Sequence, residues 1–142
     1  MSVTELPLNL AMIKADIYTA DDEIKRAKDL TPKAAKYIKG MAGFHLQQAA
    51  EKMIKLQLYR SGKKLDLHLI YKHSLDHLMG YAKSLGVELI IPEYIMKNSA
   101  VITAWEAAGR YDVHKVVKIT QLEKCYTEIE CWFAELKKNG YK

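Results

Sequence analysis

Apolar residues recur along the chain at alternating spacings of three and four, which is the period of an amphipathic α-helix. The first such stretch predicts a helix from about Asn9 to Lys28. Acidic and basic residues interrupt this stretch only on the opposite side, which would face the solvent. The predicted buried stripe is Leu10, Ile13, Ile17, Ala20, Ile24 and Ala27.

A second and longer helix is predicted over 32–60. Thr31 can cap its start, and Pro32 suits the first helical position. Gly40 and Gly43 weaken its middle, so either the helix breaks there or the glycines allow close packing against another helix. We expect a break or kink near Gly40. The predicted stripe is Ile38, Ala42, Leu46, Ala49, Met53 and Leu56.

The rest of the chain predicts three further helices. Residues 65–71 alternate in polarity but have no evident partner strand, so we expect an irregular connector there. Helices follow over 73–85 and 92–109, and Asp112 is the expected cap of a last helix over 113–138. The pattern therefore predicts an all-α fold, an up-and-down antiparallel bundle of four to five helices. Buried positions expected in these helices are Leu75, Leu78, Met79, Ala82, Leu85, Ile95, Ser99, Ile102, Trp105, Val116, Ile119, Leu122, Tyr126, Ile129, Phe133 and Leu136.

Composition supports an ordinary globular domain. Of the 142 residues, 49% are hydrophobic and 27% are charged, which predicts one domain over residues 1–142 with a core that needs no disulfide or metal. Seven glycines and three prolines are too few turn formers for a many-stranded sandwich or barrel. No apolar run is long enough to span a membrane and no signal peptide is evident, so we expect a cytoplasmic protein without membrane contact. Cys125 and Cys131 are expected to be free thiols.

The formal net charge of +5 permits a polyanionic partner without requiring one. Lys52 and Lys55 share a helix face with Gln48, and most of the basic side chains should be solvated. No aromatic residues alternate with them as they do in a base-stacking platform. The basic residues in question are Lys25, Arg26, Lys28, Lys33, Lys36, Lys39, Lys52, Lys55, Arg60, Lys63 and Lys64.

Two polar clusters have competing structural and functional interpretations. His73 and His77 are four residues apart on one helix face and could share a metal, but polar groups at a helix start more often cap it. Gln48 and Glu51 flank a small-residue helix seam, where polar groups usually satisfy a neighbour. Glycine-rich phosphate loops, nucleophile elbows and paired-cysteine sites are absent from the sequence. We therefore expect neither a metal site nor a cofactor.

The candidate functional segment combines five side chains, Arg110, Tyr111, Asp112, His114 and Lys115. A guanidinium can clamp a phosphate with two parallel hydrogen bonds, and an imidazole is the natural general base near neutral pH. If Asp112 caps the last helix, the helix dipole keeps His114 neutral. The alternative is that Asp112 caps, Arg110 pairs with a carboxylate, and His114 is merely exposed.

Four stretches together resemble the HEPN family of helical nucleotide-binding domains. They are FHLQQAAEK over 44–52, LYRSG over 58–62, HSL over 73–75 and RYD over 110–112, and their order and spacing match over about residues 8–138. This resemblance implies a helical bundle that usually forms a homodimer. It also implies a possible partner protein, a minimal nucleotidyltransferase, in a module of the toxin–antitoxin type.

Some members of that family are metal-independent endoribonucleases that use an arginine and a histidine. The matching residues here are Arg110 and His114, which have only three residues between them, fewer than in those nucleases. Three interpretations follow. In the first, the chain binds nucleotide or RNA and/or partners a nucleotidyltransferase. In the second, it is a ribonuclease in which His114 takes the 2′-hydroxyl proton and Arg110 stabilises the phosphate charge. In the third, it is a purely structural interaction module.

Trp105 and Tyr111 are the expected aromatic anchors of a dimer.

Overall fold

Seven α-helices follow one another in the part of the chain that the structure, a computed structural model, describes. The structure describes residues 8–110 and 117–142, and the side chains of all of these except 108–110. No strand occurs in these ranges, so the predicted all-helical class is confirmed for the described chain. The helices are α1 (Leu10–Lys28), α2 (Pro32–Tyr59), α3 (Leu67–Ile70), α4 (Leu75–Ser84), α5 (Glu93–Lys97), α6 (Ser99–Arg110) and α7 (Ile119–Lys138).

Side-chain caps explain where α1, α2 and α4 begin. The Asn9 side chain accepts from the backbone N–H of Met12 at 3.0 Å, at the start of α1. Thr31 caps α2, with Pro32 at its first position as predicted. Ser74 caps α4, so the capping interpretation of the polar residues at that helix start is confirmed for this hydroxyl. Such caps satisfy backbone donors that the first turn leaves free.

The four longest helices, α1, α2, α6 and α7, form an antiparallel bundle. At one end, the Arg60 guanidinium donates to the Leu8 carbonyl, and the Leu10 N–H donates to the Lys142 carbonyl. At the other end, Lys28 pairs with Glu123. We call the end with the Arg60 and Lys142 contacts the terminal end; α1 begins there, and α2 and α7 end there. We call the end with the Lys28–Glu123 pair the junction end; α1 passes into α2 there, and α7 begins there. Helices α3, α4 and α5 lie in the long connection between α2 and α6.

The predicted stripes of α1 and most of α2 form the core of this bundle. All six predicted positions of α1 are buried, and those of α2 are buried from Ala42 onward. The expected break near Gly40 is wrong, because α2 continues without interruption from Pro32 to Tyr59. Gly40 is itself buried, and Gly43 lies against Trp105. The second interpretation of these glycines, close helix packing, therefore holds for Gly43.

Two connections differ from prediction. The stretch 65–71 contains the single-turn helix α3, because the Asp66 side chain accepts from the N–H of His68 and starts a turn. The helix predicted over 92–109 is two helices separated at Asn98, whose backbone leaves the helical region and whose side chain donates to the Tyr94 carbonyl. The described chain thus has seven helices, more than the four to five predicted.

The last helix begins at Ile119, not at Val113. Its N-cap is Lys118, with extended backbone, rather than Asp112. Val117, just before it, is buried in the core. The buried side of α7 is also rotated relative to the prediction, so that Tyr126 and Phe133 are only partly buried. Its buried residues are Leu122, Cys125, Ile129, Trp132 and Leu136.

The segment between α4 and α5 is attached to the bundle by side chains of α2 and α7, because it has no strand to pair with among the described residues. The Gln57 amide accepts from the N–H of Ile90 at 2.7 Å and donates to its carbonyl at 2.9 Å. The Trp132 indole donates to the same carbonyl at 2.6 Å.

Both cysteines are free, with Cys125 buried and Cys131 exposed. Among the helices of the described residues, none has the length and apolarity that crossing a bilayer requires.

Candidate functional site

The predicted functional segment follows directly from the end of α6. Arg110 is the last residue of that helix, but its side chain is not described. Tyr111, Asp112, His114 and Lys115 lie outside the described residues, so the convergence of Arg110 and His114 on one phosphate stays a prediction. The described residues around this segment give its surroundings.

Close packing of α6 on α2 fixes where α6 ends. A Cβ atom added to Gly43 would lie 3.0 Å from Cγ and 3.1 Å from Cβ of Trp105, closer than ordinary van der Waals contact. Only glycine permits this approach between a helix backbone and an indole. Trp105 is 4% exposed, so its predicted role as an exposed dimer anchor is wrong. It belongs to the monomer core.

Helix α6 runs antiparallel to α2, which brings its last residue to the junction end. Trp105 contacts Gly43, whereas Thr103, nearer the start of α6, accepts from the N–H of Leu75 beside the contact with Gln47. The chain therefore leaves α6 at the junction end, and it enters α7 at the same end. Both sides of the undescribed segment are anchored there.

The junction end also carries basic side chains from α1 and α2. Lys25 and Arg26 pair with acidic residues one turn earlier, and Lys28 pairs with Glu123. Lys33 is exposed, while Lys36 and Lys39 are partly exposed. No ion pair of Lys33, Lys36 or Lys39 with a described residue occurs. These three cations give this end a positive charge that no described carboxylate offsets directly.

A polar group, which we call the Glu51 cluster, is centred on the middle of α2. Its members are Gln47, Glu51 and Lys55, which are buried, and His73, which lies in the loop before α4 and has a side chain that is 54% exposed. The Glu51 carboxylate is 4% exposed; it accepts from Gln47 Nε2 at 3.2 Å and from Lys55 Nζ at 3.2 Å, and contacts His73 Nδ1 at 2.8 Å. Gln47 Nε2 also donates to the His73 carbonyl at 3.1 Å. A buried carboxylate needs such donors, because its desolvation is otherwise costly.

The Glu51 cluster joins α2 to the loop before α4. Gln48 and Glu51, which flank the small-residue seam of α2, here satisfy neighbouring polar groups. His73 bonds Glu51, whereas His77 Nε2 is buried with no hydrogen-bond partner in the described chain. The two imidazoles therefore make different contacts in the described chain. Gln48 donates to Gln47 and supports the cluster from outside.

A second set of ionic contacts joins α2 to α1. His45 Nδ1 lies 2.6 Å from Glu23 Oε1, and Lys52 Nζ lies 2.7 Å from Asp16 Oδ2. The hydrogen bond to Glu23 raises the pKa of His45 above 6.5, against the effect of partial burial. Lys52 therefore links α2 to α1, and its charge is paired with Asp16 rather than available to an anionic ligand.

Sequence reasoning missed the buried polar residues Gln47, Lys55 and Gln57. Each lies next to the apolar stripe of α2, and the stripe alone marks a single buried face. Because α2 is the central helix, with α1 on one flank and α6 on the other, residues beside its stripe are buried as well. The signal available in the sequence was the length of α2 together with the small residues Gly43, Ala49 and Ala50.

A protein-family model described as HEPN domain matches residues 13–137, which is most of the chain. The match includes the Glu51 cluster, α6 and the segment that follows Arg110. No curated protein matches the chain, and no solved structure matches it.

Proposed function

The chain belongs to the HEPN family, and from this premise we propose that it is a homodimer that binds nucleotide or RNA through Arg110, Tyr111, Asp112, His114 and Lys115. The family connects the chain with a nucleotide- or RNA-related function. Our proposal adds the segment that makes the contact, and it adds a minimal nucleotidyltransferase as a partner protein.

One observation carries this proposal. The contact of Trp105 with Gly43 brings the end of α6 to the junction end of the bundle, where Lys33, Lys36 and Lys39 have no described carboxylate partner. Concentrated positive charge raises the local concentration of phosphate-bearing ligands and speeds their association. The Arg110 guanidinium and the His114 imidazole, which come at and after the end of α6 in the sequence, are suited to holding the phosphate itself.

RNA binding by matched variants tests the segment. Fluorescence anisotropy with a labelled single-stranded RNA should show binding that weakens as salt rises, because neutralised phosphates release counterions. Arg110→Ala and His114→Ala should each weaken binding about ten-fold, the value of a lost charge-assisted hydrogen bond. Lys97→Ala is the matched control, since this lysine is 71% exposed on α5 and pairs with Glu93.

The outcomes of this experiment separate the interpretations. If both variants bind as the wild type does and are strongly destabilised, the segment is a structural joint and the proposal fails. Metal-independent RNA cleavage that leaves a cyclic phosphate, and that both variants lose, would instead establish a ribonuclease. The nucleotidyltransferase partner is tested separately, by the identity of the neighbouring gene and by co-purification of the two products.

A further inference from the structure

Two adjoining cavities open at the terminal end of the bundle, on the side opposite to the segment after Arg110. The first, of about 320 Å³, is lined by Arg60, Asn139, Gly140, Tyr141 and Lys142. The second, of about 430 Å³, shares Tyr141 and Lys142 and adds α1 and α7 side chains including Lys14 and Phe133. Their volumes lie within the range of small-molecule sites, about 300–1,000 Å³.

Cationic side chains line both cavities. Lys14, Lys137 and Lys142 border the larger one and Arg60 the smaller, and the described lining of neither contains an aspartate or glutamate. Lys137 complements the negative end of the α7 dipole. Arg60 is the C-cap of α2, where it complements that helix's dipole and donates to the Leu8 carbonyl. Lys14 lies near the positive end of the α1 dipole, which does not account for it. The described side chains that line the two cavities thus include these cations and no carboxylate.

Aromatic rings form the apolar part of the same surface. Phe133 and Tyr141 are partly buried and pack against the core with one side, and both border the larger cavity beside Leu10. Lys14 Nζ lies 5.0 Å from the centre of the Phe133 ring and 4.9 Å from that of Tyr18. The rings thus hold an ammonium group at the edge of the cavity through cation–π contact.

We infer that the terminal end binds a small organic anion that carries an aromatic ring. The ring packs on Phe133 and Tyr141, and the anionic group is neutralised by Lys14 and Lys137. Stacking on aromatic faces and charge-assisted hydrogen bonds are the two interactions that this lining offers. This site is at the opposite end of the bundle from the segment after Arg110 and does not depend on the proposed function.

Calorimetric titration of the full chain with phenyl phosphate tests the site. Inorganic phosphate lacks the ring and benzyl alcohol lacks the charge, so each should bind at least about ten-fold more weakly. Amide NMR shifts caused by phenyl phosphate should cluster around Lys14, Phe133 and Tyr141. A parallel titration with AMP identifies the source: tighter binding than phenyl phosphate indicates a nucleotide, and weaker binding indicates a smaller aromatic anion.

Variants of the lining give the decisive comparison. Lys14→Met and Phe133→Leu should each weaken phenyl phosphate binding about five- to ten-fold, while Lys97→Met should leave it unchanged. Circular dichroism checks that each variant is folded. Absence of binding by the wild type, or NMR shifts at the junction end alone, would overturn the inference. Because the NMR shifts are assigned to individual residues, binding at the terminal end is distinguished from binding through the segment after Arg110.

Discussion

Gly43 is the residue on which the contact between α2 and α6 depends most directly. The indole of Trp105 occupies the space that a side chain at this position would fill. The sequence shows a glycine pair in a helix and leaves two explanations open, a break or a close approach. Only the identity of the partner decides between them, and Trp105 is distant in sequence from Gly43. A local pattern carries no information about that pairing.

Substitution of Gly43 by alanine should therefore destabilise the fold. The added Cβ meets Trp105 at 3.0 Å, and overpacking of this kind costs about 1–3 kcal/mol, more than the gain of up to about 1 kcal/mol in helix propensity. Gly80→Ala is the control, because nothing lies within 4 Å of its added Cβ. It should stabilise α4 by about 0.5–1 kcal/mol. Urea unfolding measures both, and equal effects would contradict the packing role.

Among the elements, the start of α2 and the α1 stripe were predictable because they depend on neighbouring residues. Thr31 caps α2 as predicted, and Asn9, where the first helix was expected to begin, is the cap of α1. The cap of α7 was not predictable in this way, since it is Lys118 rather than Asp112. The orientation of α7 was not predictable, because several of its faces carry apolar residues. Trp132 is buried and donates to the Ile90 carbonyl, a contact distant in sequence. The spacing that includes Phe133 fits a helix equally well, so tertiary contacts decide which side turns inward.

The rotation of α7 predicts unequal effects of two neighbouring aromatic substitutions. Trp132 is 1% exposed, so Trp132→Ala should cost about 3–5 kcal/mol through the cavity it leaves. Phe133 is only partly buried, and Phe133→Ala should cost about 1–2 kcal/mol, since part of its ring is already in contact with water. The comparison is made by denaturant unfolding. A larger loss for Phe133 would mean that α7 is turned the other way.

The pairing of α1 with α2 should depend on pH through His45 and Glu23. The pKa of His45 is raised above 6.5 in the folded protein, so the charged imidazole is stabilised by folding. This contribution is fully present below the unfolded pKa and is lost as the pH rises through the folded pKa. Unfolding free energies measured from about pH 5.5 to about pH 8.5 should fall accordingly. His45→Gln should flatten that part of the profile, and an unchanged slope would contradict the assignment.

At the scale of the whole molecule, the junction end combines basic charge with exposed apolar side chains. Tyr37 and Met41 lie one turn apart on α2 and are 64% and 36% exposed. Trp105 is buried, so it cannot supply a dimer contact. A fold this size buries most large apolar residues, and those left exposed side by side often mark an interface. The candidate segment lies outside the described side chains and stays a prediction, and its surroundings could not be predicted because they depend on how four helices assemble.

The proposed homodimer predicts about twice the chain mass in sedimentation at micromolar concentration. Tyr37→Asp and Met41→Asp should each shift the protein toward monomer, because a buried charge at an interface is costly. Leu67→Asp is the control, since Leu67 is 42% exposed on α3. A wild-type monomer, or a dimer that neither α2 variant weakens, would exclude this surface as the interface.

The two hydrogen bonds between the Gln57 side chain and the Ile90 backbone have a consequence for amide hydrogen exchange. The Ile90 N–H is bonded to a side chain that is 2% exposed and belongs to the central helix, whereas neither Leu89 nor Ile91 has a backbone hydrogen bond to a described residue. Exchange at Ile90 therefore requires the core to open, while its two neighbours exchange through local fluctuation. In deuterium oxide, Ile90 should be a single slow amide in a fast-exchanging segment, and Gln57→Leu should abolish that protection. Within a loop that has no strand partner, one glutamine thus gives one peptide group the kinetic stability of the bundle.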